Sequence, residues 1–509
     1  MTFQSTTMNK PTTTIQSFYK GKTIFITGAS GFMGKVLLEK LLYSCSDLDK
    51  IYILIRPKKG HNIESRIDNM FKLPMFHRIC QEKRHVLKKV LPLNGDLTMY
   101  NLGLTDEQRK TLMNEVHIVF HFAASLRLEA KLKDSVEFNT IGTRKVLDLA
   151  RQIKHLQVFV HLSTAFCLVE QERVDEIAYD APHDPNDIMR LVEWMDESAI
   201  DLLTPKLLGP FPNTYIYTKR LAETLVTREY PNLPCVIARP SIVIPAMAEP
   251  LPGWVDNLNG PTGIIVAASK GVLRTMLCNT QYQAEVIPVD IVINFLINIS
   301  HKVATQQKPK SIPVYNAVNN DHVHVTWGDI LKISKSICYE YPFEGQAWYP
   351  GGNVHTNKFI HYLLVFFFHI IPAYLIDFLM LIFLQKRFMV RIQKRISTGL
   401  EVLQYFTMRN WVFDNTKLEI IREESSPEDK KIFPLVFSMN IREYMKIVIL
   451  GTRQYCMKES LSSLPKARRH QATMYVVHLL TKFLFYFGIL FFIYKNSEMV
   501  RYCLHLPSL

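Results

Sequence analysis

From residue 22 onward, short apolar runs alternate with segments whose apolar residues fall at helical spacing. Residues 23–27 form a β-branched and aromatic run, residues 35–43 have the three-and-four spacing of a helix, and residues 51–55 form a second unbroken apolar run. A strand that is apolar at every position is covered on both faces, so this order predicts a β-α-β unit within a parallel sheet. The rhythm continues through residues 116–122, 138–150, 158–162 and 235–238. The fold class expected is α/β, a doubly wound Rossmann-type parallel sheet with helices on both faces. Three runs end in small or polar residues, at Phe122-Ala123-Ala124-Ser125, Leu162-Ser163-Thr164 and Ala238-Arg239-Pro240-Ser241. Such a sheet places its ligands at these carboxyl ends.

The pattern changes after about residue 355. Residues 359–384 are a long apolar stretch, followed by Lys386, Arg387, Arg391, Lys394 and Arg395 with no acidic residue among them. A second apolar run, residues 474–494, follows Lys466, Arg468 and Arg469 and has about the length of a membrane-crossing helix, roughly 20 residues. The first stretch contains His361, His369, Pro372 and Asp377, and an ionisable group in lipid is costly. A re-entrant hairpin bent at Pro372 keeps both the preceding domain and the basic segment on the cytosolic side, which a single crossing does not. The first twenty residues are polar and lack the apolar run of a secretory leader, so most of the chain is expected in the cytosol. The domain plan is a disordered segment over 1–20, a catalytic domain over 21–355, an apolar membrane hairpin or, as the alternative, a transmembrane segment over 356–385, a mostly helical C-terminal domain over 386–470, a transmembrane helix over 474–494 and a tail over 495–509.

With 509 residues, 48% of them hydrophobic, the chain can bury the core of one large domain or two ordinary ones. The net charge of +14 favours anionic partners, whether nucleic acid, an acidic membrane surface or a polyphosphate ligand, and charge alone does not choose among them. No nucleic-acid partner is expected. The eight cysteines are scattered, without a CxxC pair or Cys/His cluster at zinc spacing, so they are expected to be reduced and no metal site is expected.

Candidate chemistry begins at Thr27-Gly28-Ala29-Ser30-Gly31-Phe32-Met33-Gly34, between the first strand and the first helix. Glycine at these points lets the backbone turn tightly, approach a pyrophosphate and pack helix against strand. The helix N-terminus then offers free N–H groups to phosphate oxygens. After the second strand stands Arg56-Pro57-Lys58-Lys59, where a dinucleotide site that prefers NAD commonly has an acidic residue. A basic residue there suits the 2′-phosphate of NADPH. Asp96, followed by Leu97, could bracket the adenine, and Ala123 leaves room for the cofactor over the fourth strand. Tyr215 and Lys219 share a helical face, and a nearby ammonium lowers a phenol pKa toward the range useful for proton transfer.

The order of glycine loop, Ser163-Thr164 strand end and Tyr215/Lys219 helix resembles the extended short-chain dehydrogenase/reductases. The glycine loop, His161-Leu162-Ser163-Thr164-Ala165-Phe166, Pro212-Asn213-Thr214-Tyr215-Ile216-Tyr217-Thr218-Lys219 and Arg239-Pro240-Ser241-Ile242 resemble the fatty acyl-CoA reductases within that group. The resemblance runs from about residue 20 to about residue 460 and departs at Phe166, where that family more often has Tyr. It implies a membrane-anchored enzyme that reduces long-chain or very-long-chain acyl-CoA to a primary alcohol with two NADPH. Tyr215 would donate the proton, Lys219 would lower its pKa and bind the nicotinamide ribose, and Thr164 would hold the substrate oxygen, with Ser163 as the alternative. Thr27, Gly28, Ser30, Gly31, Phe32, Met33, Gly34, Arg56, Asp96, Leu97, Ala123, Lys219, Pro240 and Ile242 would contact the cofactor. The interval between Thr164 and Tyr215 is a candidate lid, and residues 253–276 a candidate acyl-chain channel. The implied location is the endoplasmic reticulum membrane with a cytosolic catalytic domain, the alternatives being the peroxisomal membrane and the lipid droplet. Membrane lipids are thus expected partners. A sterol or sugar-nucleotide dehydrogenase would share the loop and the Tyr/Lys pair but not the similarity past residue 355. A non-catalytic lipid-binding protein on the same scaffold would have no need of Tyr215 and Lys219.

Overall fold

The computed structural model describes residues 14–57, 60, 62–318 and 324–496. Lys58, Lys59 and nearly all of the tail lie outside these residues. Seven strands form one sheet: β1 (Ile24–Thr27), β2 (Ile51–Ile55), β3 (Val90–Asn94), β4 (Ile118–His121), β5 (Val158–Leu162), β6 (Cys235–Pro240) and β7 (Val314–Ala317). They lie in the order β7-β6-β5-β4-β1-β2-β3, and every pair is parallel. The order reverses between β1 and β4, where Thr27 stands beside His121. A doubly wound sheet opens its ligand crevice at such a switch point. β1, β2, β4 and β5 are buried at every position, in keeping with their mostly apolar runs.

Three departures from the sequence reading shape the molecule. Ile15–Tyr19 is a helix, α1, rather than part of a disordered leader. Ile15, Phe18 and Tyr19 have helical spacing, and all three join the main core. Polar neighbours mask this short apolar pattern. The second departure concerns the C-terminal region, whose Leu418, Ile421, Phe433, Tyr444, Val448 and Ile449 belong to the same hydrophobic cluster as β1 and α2 (Phe32–Ser44). Two points fix the union: Val412–Phe413 pairs with Arg173–Val174, and Gly253 and Gly451 approach so closely that a Cβ on Gly451 would lie 2.1 Å from the Gly253 carbonyl oxygen.

The third departure is the apolar hairpin. The chain does not bend at Pro372 but continues as one helix, α6 (Lys358–Ile382), and turns at residues 383–388. Phe366–Ile370 forms a π-helical turn, and Pro372 sits in the first turn of the α-helical segment that follows. The wider π-helical turn interrupts the regular i to i−4 bonding just before Pro372, so a residue without an N–H is carried inside the continuous helix. The return helix, α7 (Met389–Thr407), begins where the Asp377 carboxylate accepts the backbone N–H groups of Phe388, Met389 and Val390 at 2.8–3.0 Å. The chain ends, among the described residues, in α8 (Leu464–Asn496). Both α6 and α8 are long and apolar enough to cross a bilayer, and their Phe, Leu and Ile side chains are largely exposed.

Candidate active site

The glycine loop ends β1 and starts α2. Gly28 has φ +77°, and a Cβ there would lie 2.7 Å from the Ala123 nitrogen, so only glycine allows β1 to approach the end of β4 this closely. A Cβ on Gly34 would lie 2.2 Å from the Gly28 carbonyl oxygen, which presses the first turn of α2 against the loop. Gly31 precedes the helix and donates to the Gly28 carbonyl at 3.0 Å. Phe32 and Met33 open α2 and pack partly against the core. Thr27 bonds through Oγ1 to His121 Nδ1 at 2.7 Å and accepts from the Ala123 N–H at 3.3 Å, tying both strand ends at the switch point. These residues make the backbone cradle that a pyrophosphate requires.

Beside the cradle is a cavity of about 230 Å³ lined by Ser30, Lys35, Ile55, Arg66, Asn69 and Met70. Lys35 donates to the Ser30 carbonyl and pairs with Asp256, and Arg66 donates to the Arg56 carbonyl. The Arg56 side chain is 64% exposed, with its Nε 3.8 Å from an Asp96 oxygen and its guanidinium 5.5 Å from the Phe138 ring centre. The second Asp96 oxygen accepts from the Thr98 N–H at 3.0 Å. Leu97 instead sends its side chain into the core, where a Cβ on Gly142 would be 3.0 Å from its Cβ.

At the end of β5, Ser163 and Thr164 are both buried but differently engaged. Ser163 turns toward Glu223, whose carboxyl it helps hold charged, and its Oγ is 3.9 Å from Cys167 Sγ. Thr164 caps the short turn Ala165–Cys167. Tyr215 and Lys219 lie on α3 (Thr214–Glu229), which starts at the Asn213 cap. Lys219 Nζ donates to the Leu162 carbonyl at 2.7 Å, so α3 is bonded to the strand that leads into Ser163-Thr164. Burial pushes the Lys219 ammonium down to about 8. Tyr215 departs from expectation, because burial raises its phenol pKa instead of Lys219 lowering it. Lys219 is turned toward a carbonyl, and desolvation of the phenolate wins. Pro240 closes β6, and the half-buried Ile242 begins a short strand whose N–H donates to the Glu285 carbonyl.

Below the Ser-Thr end, Arg239 makes a two-point contact with Glu223 at 2.7 and 2.8 Å, both residues essentially inaccessible. Burial opposes the Glu223 charge, but Arg239 outweighs it and the carboxyl stays below its usual range. Removing either partner would strand the other charge, at a cost of about 3–5 kcal/mol.

The "Male sterility protein" family matches this chain with two models, an NAD-binding one over residues 26–296 and a second over residues 368–459. The chain is 38% identical to fatty acyl-CoA reductase 1 of Xenopus laevis and 36% identical to that of Homo sapiens, in each case over 90% of this chain and 88% of the relative. It is 36% identical to fatty acyl-CoA reductase 2 of Bos taurus over 92% of this chain and 90% of that one. The chain belongs to the fatty acyl-CoA reductase family. Among solved structures, the terminal R domain of the myxalamid PKS-NRPS pathway superposes with TM-score 0.55 at 18% identity, covering 85% of this chain and 91% of that domain. The reductase domain of a nonribosomal peptide synthetase from Mycobacterium tuberculosis gives TM-score 0.53 at 14% identity, covering 85% and 92%. Both share the fold.

In this fatty acyl-CoA reductase, Phe166 sits among the rings of Phe406, Trp411 and Phe413 at centroid distances of 5.1–5.5 Å, all edge-on. These partners come from the C-terminal region, and a ring so enclosed suits Phe. The structure also gathers residues that sequence reading missed. Asn139, in the π-helical turn Val136–Ile141, accepts from the Ser125 N–H at 2.7 Å and donates to Thr218 Oγ1 at 2.9 Å, bridging the loop after β4 to α3. His121 and His161 lie buried with ring centres 5.5 Å apart, and both are kept neutral by burial and then by the Lys219 charge. Arg66 lies in a helix rather than at a strand end, so only the tertiary fold brings it to the cavity beside the glycine loop.

Proposed function

We propose that this reductase converts long-chain acyl-CoA to a primary alcohol, consuming two NADPH, at the cleft formed by Thr164, Tyr215 and Lys219. The observation that carries the reading is the bond from Lys219 to the Leu162 carbonyl, which holds α3 against the Ser163-Thr164 strand end beside the glycine cradle. Bound NADPH supplies hydride. Gly28, Gly31, Gly34 and the first turn of α2 would hold its pyrophosphate, and Arg56 with Arg66 would meet its 2′-phosphate. Thr164 and Tyr215 would donate to the carbonyl oxygen of the thioester as negative charge develops there. Ser163, set beside Cys167 and Glu223, is the weaker candidate. After the first reduction, the hemithioacetal expels CoA thiolate, and Tyr215 gives its proton to the alkoxide formed in the second. A phenol whose pKa is raised by burial keeps its proton until a stronger base forms, which suits a donor. Cys167 is no nucleophile, since burial pushes its thiol up to about 12.

We place α8 across a membrane and the α6–α7 hairpin against one face of it, with the sheet in the cytosol. The exposed apolar faces of α6 and α8 and the exposed Arg387, Arg391, Lys394 and Arg395 beside them support this arrangement. An endoplasmic reticulum membrane is our proposed site, since its cytosolic face gives access to acyl-CoA. Incubating purified enzyme with palmitoyl-CoA and NADPH should yield hexadecanol, with two NADPH oxidised per alcohol. One NADPH per product, with free aldehyde accumulating, would assign the second reduction elsewhere.

A further inference from the structure

Away from the Thr164–Tyr215 cleft, α4 (Pro261–Ser269), α5 (Trp327–Glu340), the strand Thr275–Leu277 and residues 350–354 enclose a cavity of about 340 Å³. That volume falls in the range of small-molecule pockets, about 300–1,000 Å³. Ile264, Ile265, Leu273, Met276, Leu331 and Val354 make its wall apolar. Arg274, Lys332 and Lys335 also line it, and no acidic residue among the described residues does.

Two independent observations point to a ligand. Ser334 lies on the wall, is 5% exposed, and its Oγ has no hydrogen-bond partner among the described residues. A buried hydroxyl without a partner is destabilising, and a polar group of a bound molecule would relieve it. The second observation is placement. Thr275 Oγ1 bonds to His361 Nδ1 at 3.0 Å, and the Arg274 N–H donates to His369 Nε2 at 2.8 Å, so the cavity wall is bonded to α6. Arg274 Nη1 also donates to the Tyr349 carbonyl at 2.8 Å. The adjacent Trp348 donates to His478 Nδ1 at 3.1 Å, and the Tyr349 ring packs on Tyr475, so the same wall is bonded to α8. The cavity therefore sits at the common root of both helices whose outer faces are apolar.

We propose that this cavity takes the aliphatic chain of a long-chain amphiphile arriving from the lipid surface, with its polar end at Ser334 and the Arg274, Lys332 and Lys335 rim. The inference rests on the acyl-CoA reading for its substrate. The chain has two possible sources, a substrate molecule held here before its thioester reaches Thr164 and Tyr215 or a separate neutral lipid such as the alcohol product, and both share one chemistry: a single aliphatic chain with one polar end.

The test uses the full-length enzyme in phosphatidylcholine nanodiscs, irradiated with a 16-carbon acyl-CoA carrying a terminal diazirine and mapped by peptide mass spectrometry. Adducts are expected on α4, α5 or residues 273–276. Ala268→Trp, which fills the cavity, should reduce them at least tenfold while NADPH binding shows that the protein is folded. Ser334→Ala leaves the packing intact and should raise the hexadecanol concentration needed to compete by about fivefold, the scale of one neutral hydrogen bond. Stronger competition by the non-reducible thioether hexadecyl-CoA than by hexadecanol would identify the substrate's own chain, and the reverse would identify a separate lipid. Absence of adducts in the cavity, or adducts unchanged in Ala268→Trp, would overturn the inference. Labelling needs no turnover, so an enzyme that labels but does not reduce acyl-CoA refutes the proposed function and leaves the cavity inference standing. One that reduces acyl-CoA without labelling does the opposite.

Discussion

Ser163 and Thr164 are adjacent hydroxyls at one strand end, and periodicity cannot choose between them. Our proposed mechanism separates them by their surroundings, since Ser163 lies beside Cys167 and Glu223 while Thr164 caps a turn. Thr164→Ala should therefore lower kcat by about 10²-fold or more, the cost of losing one donor to a developing oxyanion. Ser163→Ala should leave kcat within a few-fold and instead lower Tm. Reversed results from steady-state kinetics and thermal unfolding would exchange the two roles. Tyr215→Phe should cost about 10²–10⁴-fold in kcat with the fold intact by circular dichroism. Lys219 adds a pH dependence whose sign follows from its depressed pKa. As pH rises through about 8 the ammonium loses its proton, so kcat/KM for the acyl substrate should fall above that value. A pH–rate profile flat to pH 9.5 would show that the charge on Lys219 is not required.

Apolar runs foretold β2 and β5 to the residue, because a strand buried on both faces is apolar at nearly every position, His161 being the exception in β5. They foretold the hairpin of α6 and α7 less well. Pro372 reads as a bend in isolation, yet the π-helical turn before it places it where a helix tolerates proline. The true turn depends on Asp377, which reads as a costly charge in a lipid-facing stretch and in the fold caps the next helix through three backbone N–H groups. Asp377→Ala should unpin the start of α7, and limited proteolysis should cut residues 383–388 several-fold faster than in the wild type. Equal rates of cleavage would mean that the turn is held by apolar packing alone.

Across the whole molecule, the region after residue 386 is woven into the catalytic core. Lys417 donates to the Glu176 and Val314 carbonyls, Tyr444 donates to the Pro245 carbonyl, and Phe406, Trp411 and Phe413 surround Phe166 beside Thr164. α8 is different, because only its first half touches the body, through Gln471, Tyr475 and His478. Truncation after Thr481 keeps these contacts and removes most of the exposed apolar length. It should shift the enzyme from the carbonate-resistant membrane fraction toward the soluble one while NADPH affinity stays within about twofold. Loss of cofactor binding on truncation would show that α8 supports the core beyond its docked half.

The sequence by itself determined the parallel sheet, the glycine cradle and the Tyr215/Lys219 face, because each is a local pattern: strand burial, backbone turn and helical spacing act between residues near in the chain. Tertiary structure alone decided what depends on residues distant in sequence. Glu223 and Arg239 pair beneath the Ser163-Thr164 strand end, burial raises the Tyr215 phenol, Asn139 bridges the β4 loop to α3, and Arg66 lines the cavity beside the glycine loop from a helix. Desolvation and the pairing of buried charges are set by everything packed around a group, so no spacing along the chain could have shown them.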